Sequence, residues 1–475
     1  MEEKQYNNGV IKLIRIIMIE EVPSYANKIF YSLGFLSMIS LFMLIFSGII
    51  LVFFGPNWWL TTSAGVLVRS IHLWSAQSFV VFMMLHILIV FLTSGYKPPR
   101  RFVWIFGSLM FFFALIEAEF GYVLRNDFSS QWRSLQAADL YNGSGLGNLI
   151  NNLNYAQIYG IHIIIIPFLI LGLLFFHYGL VRLRGIATPY KKDFKYKIVK
   201  ADHRVLFLRG FILFCVIIFL AIIFPSPIIA PVTIQQIANQ DPSLMANTLI
   251  SELNHKSNTA NYFDTINPYQ FDTKKIYVES PYSQYEILQQ DSTNMLIVFN
   301  KENLQLQNQN IEFAKYYFDN KGPIDTSPNF SNPVIPIIST LLLMGKSSLY
   351  ESSLRNEANT GNNPTYILRF LSDSGVMDYN AEKLKITTQQ YGMLREEKGI
   401  LPPGAWWLAP LGLMNNTILK NDNNQDRDGA VILGIFMLLF IAFPYIPLLN
   451  QIPNKLGIYK LIWKDKNLQE EKEYS

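Results

Sequence analysis

Six long apolar blocks constrain this chain more than any other feature. They lie at about 30–54, 71–95, 103–124, 159–181, 207–230 and 430–449. Each reaches the roughly 20 apolar residues that a helix needs to cross a bilayer. Backbone groups in lipid must bond internally, so each block is expected to be a helix. The composition agrees: 50% of the residues are hydrophobic and 16% charged. The expected class is an all-α polytopic membrane protein, with a four-helix bundle, two further transmembrane helices and a large insertion of mixed structure.

Cationic residues set the direction of the spans. The connections "SGYKPPRR" and "RLRGIATPYKKDFKYKIVKADHRVLFLR" are rich in Lys and Arg. The N-terminal arm and the C-terminal tail are basic too, and six spans put all four stretches on one side. That side is expected to be the cytoplasm of a cell-membrane protein, with both termini inside. The N-terminal "MEEKQYNNGVIKLIRIIMIEEVPSYANK" lacks the pattern of a cleavable signal and reads as an amphipathic surface helix. The expected organisation is an arm (1–29), a bundle (30–190), a basic loop (191–206), a fifth helix (207–230), an extracytoplasmic domain (231–429), a sixth helix (430–449) and a tail (450–475). The domain holds strand-like pieces ("KKIYVES", "NMLIVFN"), a helix-like one ("AEKLKITTQQYGMLREEKG") and an apolar stretch, 333–345, read as its core or as interfacial. A connection this long is expected to fold.

Four of the six histidines fall inside two spans. His72 and His86 are fourteen residues apart in the second, which is about 21 Å along a helix. At about 100° per residue the two share one face. His162 and His177 are fifteen apart in the fourth, which runs in the same direction. Two parallel helices thus offer two His pairs, one near each membrane surface. The plainer reading is four core histidines, each bonded to a neighbouring helix. Bis-imidazole ligation of two b-type haems accounts for all four at once. Zinc wants more ligands at each level, and the single cysteine, Cys215, excludes a cysteine-ligated cluster or a CxxCH haem attachment. Glycines repeat the interval: Gly34 and Gly48 in the first span, Gly107 and Gly121 in the third. Small residues at those depths let a flat macrocycle lie against the backbone; frequent glycine in membrane helices is the competing explanation.

The segments "VRSIHLWSAQSFVVFMMLHILIVFLTSGYKPPR", "FYSLGF", "FGYVL" and "IYGIHIIIIPFLILGLLFFHYGLVRLRGI" resemble cytochrome b of the Rieske/cytochrome bc and bf complexes. The His162–His177 spacing is similar to the chloroplast-type variant. The resemblance implies that His72 and His162 bind an outer haem iron, and His86 and His177 an inner one. It implies that Arg69 neutralises a haem propionate and that Pro167 kinks the fourth helix. Beyond residue 205 the likeness is looser. Where the family carries Pro-Glu-Trp-Tyr-x-x-Pro, this chain has "GAWWLAP", 404–410, with Ala405 in place of the glutamate. "GYVLPW" becomes "GYVLRND", Ile89 stands for an arginine, and Ala118 for a glycine.

The family implies electron bifurcation. Quinol at the outer site gives one electron to a Rieske iron–sulfur protein and the other, through both haems, to a quinone near the cytoplasmic face. Implied partners are the Rieske protein, other respiratory subunits, quinone, the lipid membrane and a second copy in a dimer; no nucleic-acid partner is expected. Quinol oxidation needs a proton acceptor, and Glu117 and Glu119, near the outer end of the third span, are the candidates. Pairing with Arg125 or Arg133 is their structural alternative. Two other functions stay open: a dihaem electron conduit or assembly subunit without bifurcation, and a transporter relaying protons through its histidines.

Overall fold

The computed structural model describes residues 21–147, 149–186, 198–261, 272–288, 294–327, 331–357, 365–387 and 401–459. Among the described residues, six helices are long and apolar enough to cross a membrane. α1 (Leu33–Thr61) and α2 (Ser63–Leu92) form a tight hairpin. Gly55 turns α1 sharply at φ 77°, before Pro56, a backbone shape that favours glycine. Thr62 then caps α2, its hydroxyl accepting from the Gly65 amide at 3.0 Å. Gly65 is forced by closeness: a Cβ there would sit 2.3 Å from the Trp58 carbonyl oxygen.

α3 (Arg101–Val123) returns through the bundle. α4 (Phe128–Gly143) lies outside the spans and begins in a capping box, with Asp127 and Ser130 exchanging hydrogen bonds. α5 (Tyr155–Arg184) is a composite span. Its six-residue start runs into a wide π turn, Ile161–Ile165, before the α-helix resumes at Ile166. Pro167, at the start of that second piece, lacks the amide to continue the ladder, which explains the widening. α6 (His203–Ile223) packs on α1 and α2, and Trp74 on α2 donates to the Phe224 carbonyl at 2.9 Å. It stops seven residues earlier than the apolar pattern predicts, because Pro225 and Pro227 follow.

A helical insert follows α6: α7 (Ile234–Gln240), α8 (Pro242–Leu253), α9 (Ser280–Leu288), α10 (Met295–Lys301), α11 (Leu304–Asp319), α12 (Val334–Lys346), α13 (Leu349–Glu357), α14 (Thr365–Asp373) and α15 (Val376–Leu384). α12 is its apolar centre and is buried on nearly every face. The strand-like pieces are corrected here. Residues Lys275–Glu279 form a π turn leading into α9, and Met295–Lys301 is α10. Ile276, Tyr277 and Val278 are buried in succession, while Met295, Leu296 and Phe299 bury one helix face. Short apolar runs fit either period, and the tertiary contacts chose the helix. The helix-like piece is α15 as far as Leu384; most of its remainder lies outside the described residues.

The chain then passes through α16 (Ala409–Asn416) to the last span, which starts within α17 (Gln425–Ala442). Among the described residues the one sheet pairs β1 (Glu21–Pro23) with β2 (Ile198–Lys200), antiparallel. The amphipathic helix expected over 1–29 is corrected at 21–23, where strand pairing wins; 1–20 lie outside the described residues. Large apolar side chains on the spans, including Phe46, Phe53, Phe168, Phe175 and Leu438, face outward, as lipid-facing positions do.

Candidate functional site

Two histidine levels occupy the bundle, one at the end from which the insert leaves and one at the end where the tail lies. At the insert end, His72 on α2 and His162 on the π turn of α5 face each other. Their ring centroids are 6.4 Å apart and their planes cross at 75°. Two metal–nitrogen bonds of about 2 Å, with half a ring on either side, span about that distance. Each Nδ1 atom has a polar neighbour behind it, and for His72 it is a hydrogen bond. Ser47 Oγ lies 2.9 Å from His72 Nδ1, and Glu117 Oε1 lies 3.0 Å from His162 Nδ1. That leaves Nε2 of each ring as the atom for a metal.

The four glycines back the four imidazoles. A Cβ on Gly48 would meet His72 Cε1 at 3.3 Å, and one on Gly121 would meet His162 Cε1 at 3.1 Å. At the other level Gly34 backs His86 at 3.3 Å and Gly107 backs His177 at 3.0 Å. Each glycine thus gives room to a ring on the neighbouring helix. His177 Nδ1 lies 3.0 Å from the Val103 carbonyl oxygen. His86 and His177 are close enough to interact electrostatically.

A cavity of about 500 Å³ opens at the insert-end level. His72, His162, Gly48, Gly121, Phe79 and Pro167 line its apolar body. Arg69 and Arg125 line it too, and both reach the fully buried Asp127: Nη2 to Oδ2 is 2.8 Å from Arg69 and 3.1 Å from Arg125. Two guanidiniums beside the cavity place positive charge where an anionic group could bind. Among the described residues no three or more His, Cys, Asp or Glu gather as a metal cluster, so a metal here would be held by a pair.

Glu117 lines the cavity. Glu119, two residues on, does not; Arg133 and Tyr141 of α4 are close enough to interact with it electrostatically. Tyr141 is pushed up to about 12 by burial first and by the Glu119 charge second. The segment "GAWWLAP" lies beside this level. Ala405 is fully buried, packed with Val80, Tyr122 and Trp407. Gln77 on α2 pins the segment by donating to the Pro403 and Gly404 carbonyls at 2.9 and 3.1 Å, while its Oε1 accepts from Trp406 Nε1 at 2.8 Å. Sequence reasoning missed Gln77, Asp127 and Ser47. A lone amide inside an apolar span was the available signal for the first; the other two are ordinary until the helices meet.

Fold and site together define a polytopic helical membrane protein with paired histidines at two depths. The family model "Cytochrome b(N-terminal)/b6/petB" matches residues 77–242. Among curated relatives, a cytochrome b6 from Heliobacterium modesticaldum is 28% identical over 203 residues, covering 38% of this chain and 95% of that protein. One from Acaryochloris marina is 28% identical over 190 residues, 35% and 88% of the two chains. One from Desmonostoc sp. is 32% identical over 142 residues, 26% and 63%. A solved chain titled "Hyperthermophilic respiratory Complex III" aligns over 78% of this chain and 98% of its own, at 18% identity and a TM-score of 0.39. By these matches the bundle is similar to cytochrome b of the bc and b6f type.

Proposed function

We propose that this chain is the dihaem cytochrome b subunit of a respiratory quinol-oxidising complex, carrying electrons between quinone sites and coupling this to proton translocation. The observation that carries it is the facing His72–His162 pair, with glycine-backed rings repeated at the His86–His177 level. His72 and His162 would hold one haem; His86 and His177 would hold the other. When bound, two b-type haems supply one-electron carriers at two depths of the membrane. The chain's own residues orient the ligands: Ser47 and Val103 hold the Nδ1 atoms of His72 and His177, Glu117 lies 3.0 Å from that of His162, and the glycines admit the rings. Arg69, with Arg125, offers positive charge for a propionate.

Glu119 is the proposed proton acceptor for quinol, because the Glu117 carboxylate is engaged by His162. E119Q should lower inhibitor-sensitive quinol oxidation by roughly 10²-fold or more; an unchanged rate removes Glu119 from that role. The Rieske protein and other respiratory subunits are the proposed partners, in a dimeric complex whose insert faces outward and whose termini are cytoplasmic. A haem count by pyridine haemochrome on the purified complex tests the core of this reading. Two haems per chain are expected, falling to one in H162A or H177A; two haems retained in both variants would refute it.

A second reading is a dihaem conduit or assembly subunit that does not oxidise quinol by bifurcation. Ala405, buried where the family glutamate would be, favours it. Loss of inhibitor-sensitive quinol oxidation in a complex with full haem content would select it.

A further inference from the structure

Three spans end side by side at the tail end of the molecule. α2 stops at Leu92, α3 starts at Arg101, and the last span stops at Tyr445. The turn Leu449–Gln451 and the short α18 (Ile452–Leu456) fold back against the α2–α3 connection. Ser94 Oγ donates to Asn454 Oδ1 at 2.7 Å, and the Tyr96 hydroxyl donates to the Asn450 carbonyl at 2.7 Å. A cavity of about 510 Å³ opens between these segments. Spans end where hydrocarbon gives way to headgroups, so the cavity sits at headgroup depth.

Its lining suits negative charge. Lys97, Arg101 and Lys455 line it with Asn450, Gln451 and Asn454, and none of its lining residues is Asp or Glu. The Arg101 guanidinium carbon lies 4.8 Å from the centre of the Tyr445 ring, a contact that fixes the cation without neutralising it. Arg101 Nε is buried with no hydrogen-bond partner. Because Ser94 takes Asn454 Oδ1, the same amide offers its Nδ2 as a donor. α3 begins at Arg101 with no side-chain cap, so the positive end of its dipole lies beside the cavity. Cations and donors gathered without an acid are the chemistry that holds a phosphate.

The apolar neighbours indicate which kind of phosphate. Leu448, Leu449, Ile452 and Leu456 are exposed, on the same segment whose Gln451, Asn454 and Lys455 line the cavity. This division is that of an interfacial helix, whose apolar face enters the bilayer surface. Free phosphate makes no contact with leucines, whereas a phospholipid sets its phosphate beside its acyl chains.

We infer that this cavity binds the phosphate of an anionic phospholipid through Lys97, Arg101 and Lys455. It shares no lining residue with the cavity at the insert-end histidines, and the inference is independent of the haem assignment.

The test places the purified full-length protein in nanodiscs of mixed phosphatidylcholine and phosphatidylglycerol, exchanges it into detergent, and counts the lipid retained per chain by mass spectrometry. The parent should retain phosphatidylglycerol in preference to phosphatidylcholine. K97Q/K455Q removes two cations from the cavity and should lower that preference by roughly fivefold per charge, the scale of one lysine at a membrane surface. K200Q/R204Q removes two exposed cations from the same end, outside the cavity, and should leave the preference as it was. Q451E sets a carboxylate among the lining residues and should act as K97Q/K455Q does, which keeps the test open if that double variant fails to fold. Titration calorimetry with inorganic phosphate forms the second arm, with no binding expected. Phosphate binding that K97Q/K455Q abolishes, in a parent without lipid preference, would overturn the lipid assignment in favour of a free phosphate. Equal retention in the parent, K97Q/K455Q and Q451E would overturn the site itself. Equal losses in K97Q/K455Q and K200Q/R204Q would also overturn it, by assigning the preference to the total charge of that end.

Discussion

Asp127 sits fully buried between Arg69 and Arg125 while also capping α4 through Ser130. Neutralising it would leave two buried guanidiniums with no carboxylate between them. Removing one partner of such a buried pair typically costs about 3–5 kcal/mol. D127N should therefore lower the unfolding temperature of the purified protein clearly, followed by circular dichroism; an unchanged melt would mean that water or lipid already satisfies the arginines. The glycines argue at the same scale. A Cβ at Gly107 stands 3.0 Å from His177 Cε1, so alanine needs the ring to shift by a few tenths of an ångström, and valine has no such route. Gly107→Val should lose one haem per chain, read as haem absorbance per protein, with Gly107→Ala close to the parent. Full haem content in the valine variant would show that the ring has space elsewhere.

At the scale of elements, the ends of α8 and α14 bring two carboxyl groups together inside the insert. Glu252 accepts from Ser257 Oγ at 2.7 Å and Asp373 accepts from the Thr259 amide at 2.9 Å. Burial first, and then the Asp373 charge, push Glu252 up to about 9 from an ordinary 4.5. Between those values the unfolded chain has released a proton that the folded chain keeps, so stability falls as pH rises through that window and levels off above it. Thermal melts of the insert's tertiary signal should drop between pH 6 and pH 9 in the parent, and that drop should shrink in E252Q. Equal pH dependence in parent and variant would assign the effect to other groups. The same scale explains the misread pieces. "KKIYVES" and "NMLIVFN" have strand-forming residues, yet each buries its apolar side chains against α12 or its neighbours from a helix. The π turn at His162 is likewise an element-scale feature: the proline that causes it was visible, but the turn type was not.

Across the whole molecule, the insert is fastened to the bundle rather than tethered to it. Phe128, Trp132 and Leu135 of α4 belong to the same apolar core as α7–α15. Arg369 of α14 pairs with Asp139 of α4 at 3.2 Å. Gln77 on α2 holds the chain again as it leaves the insert. The proposed orientation is tested with single cysteines at Gln240 and Lys455, both exposed, in a background where Cys215 is serine. A membrane-impermeant maleimide should label Q240C in intact cells and K455C only in inverted vesicles. The opposite pattern would reverse the topology.

How much of this was legible beforehand follows from range. Bilayer thickness dictates span length and helical geometry dictates direction, so the six spans and the shared face of His72 and His86 follow from local sequence. The repeated interval of Gly34–Gly48 and Gly107–Gly121 was equally readable. What those glycines face was not, nor was the approach of Ser47, Glu117 and Val103 to the imidazoles, the Arg69–Asp127–Arg125 cluster, or the hold of Gln77 on residues 403–406. These contacts join residues far apart in the chain, and no local periodicity encodes them. Only the packing of one helix on another decides which donor meets which acceptor, because a buried polar group takes whatever partner the tertiary structure brings within about 3 Å.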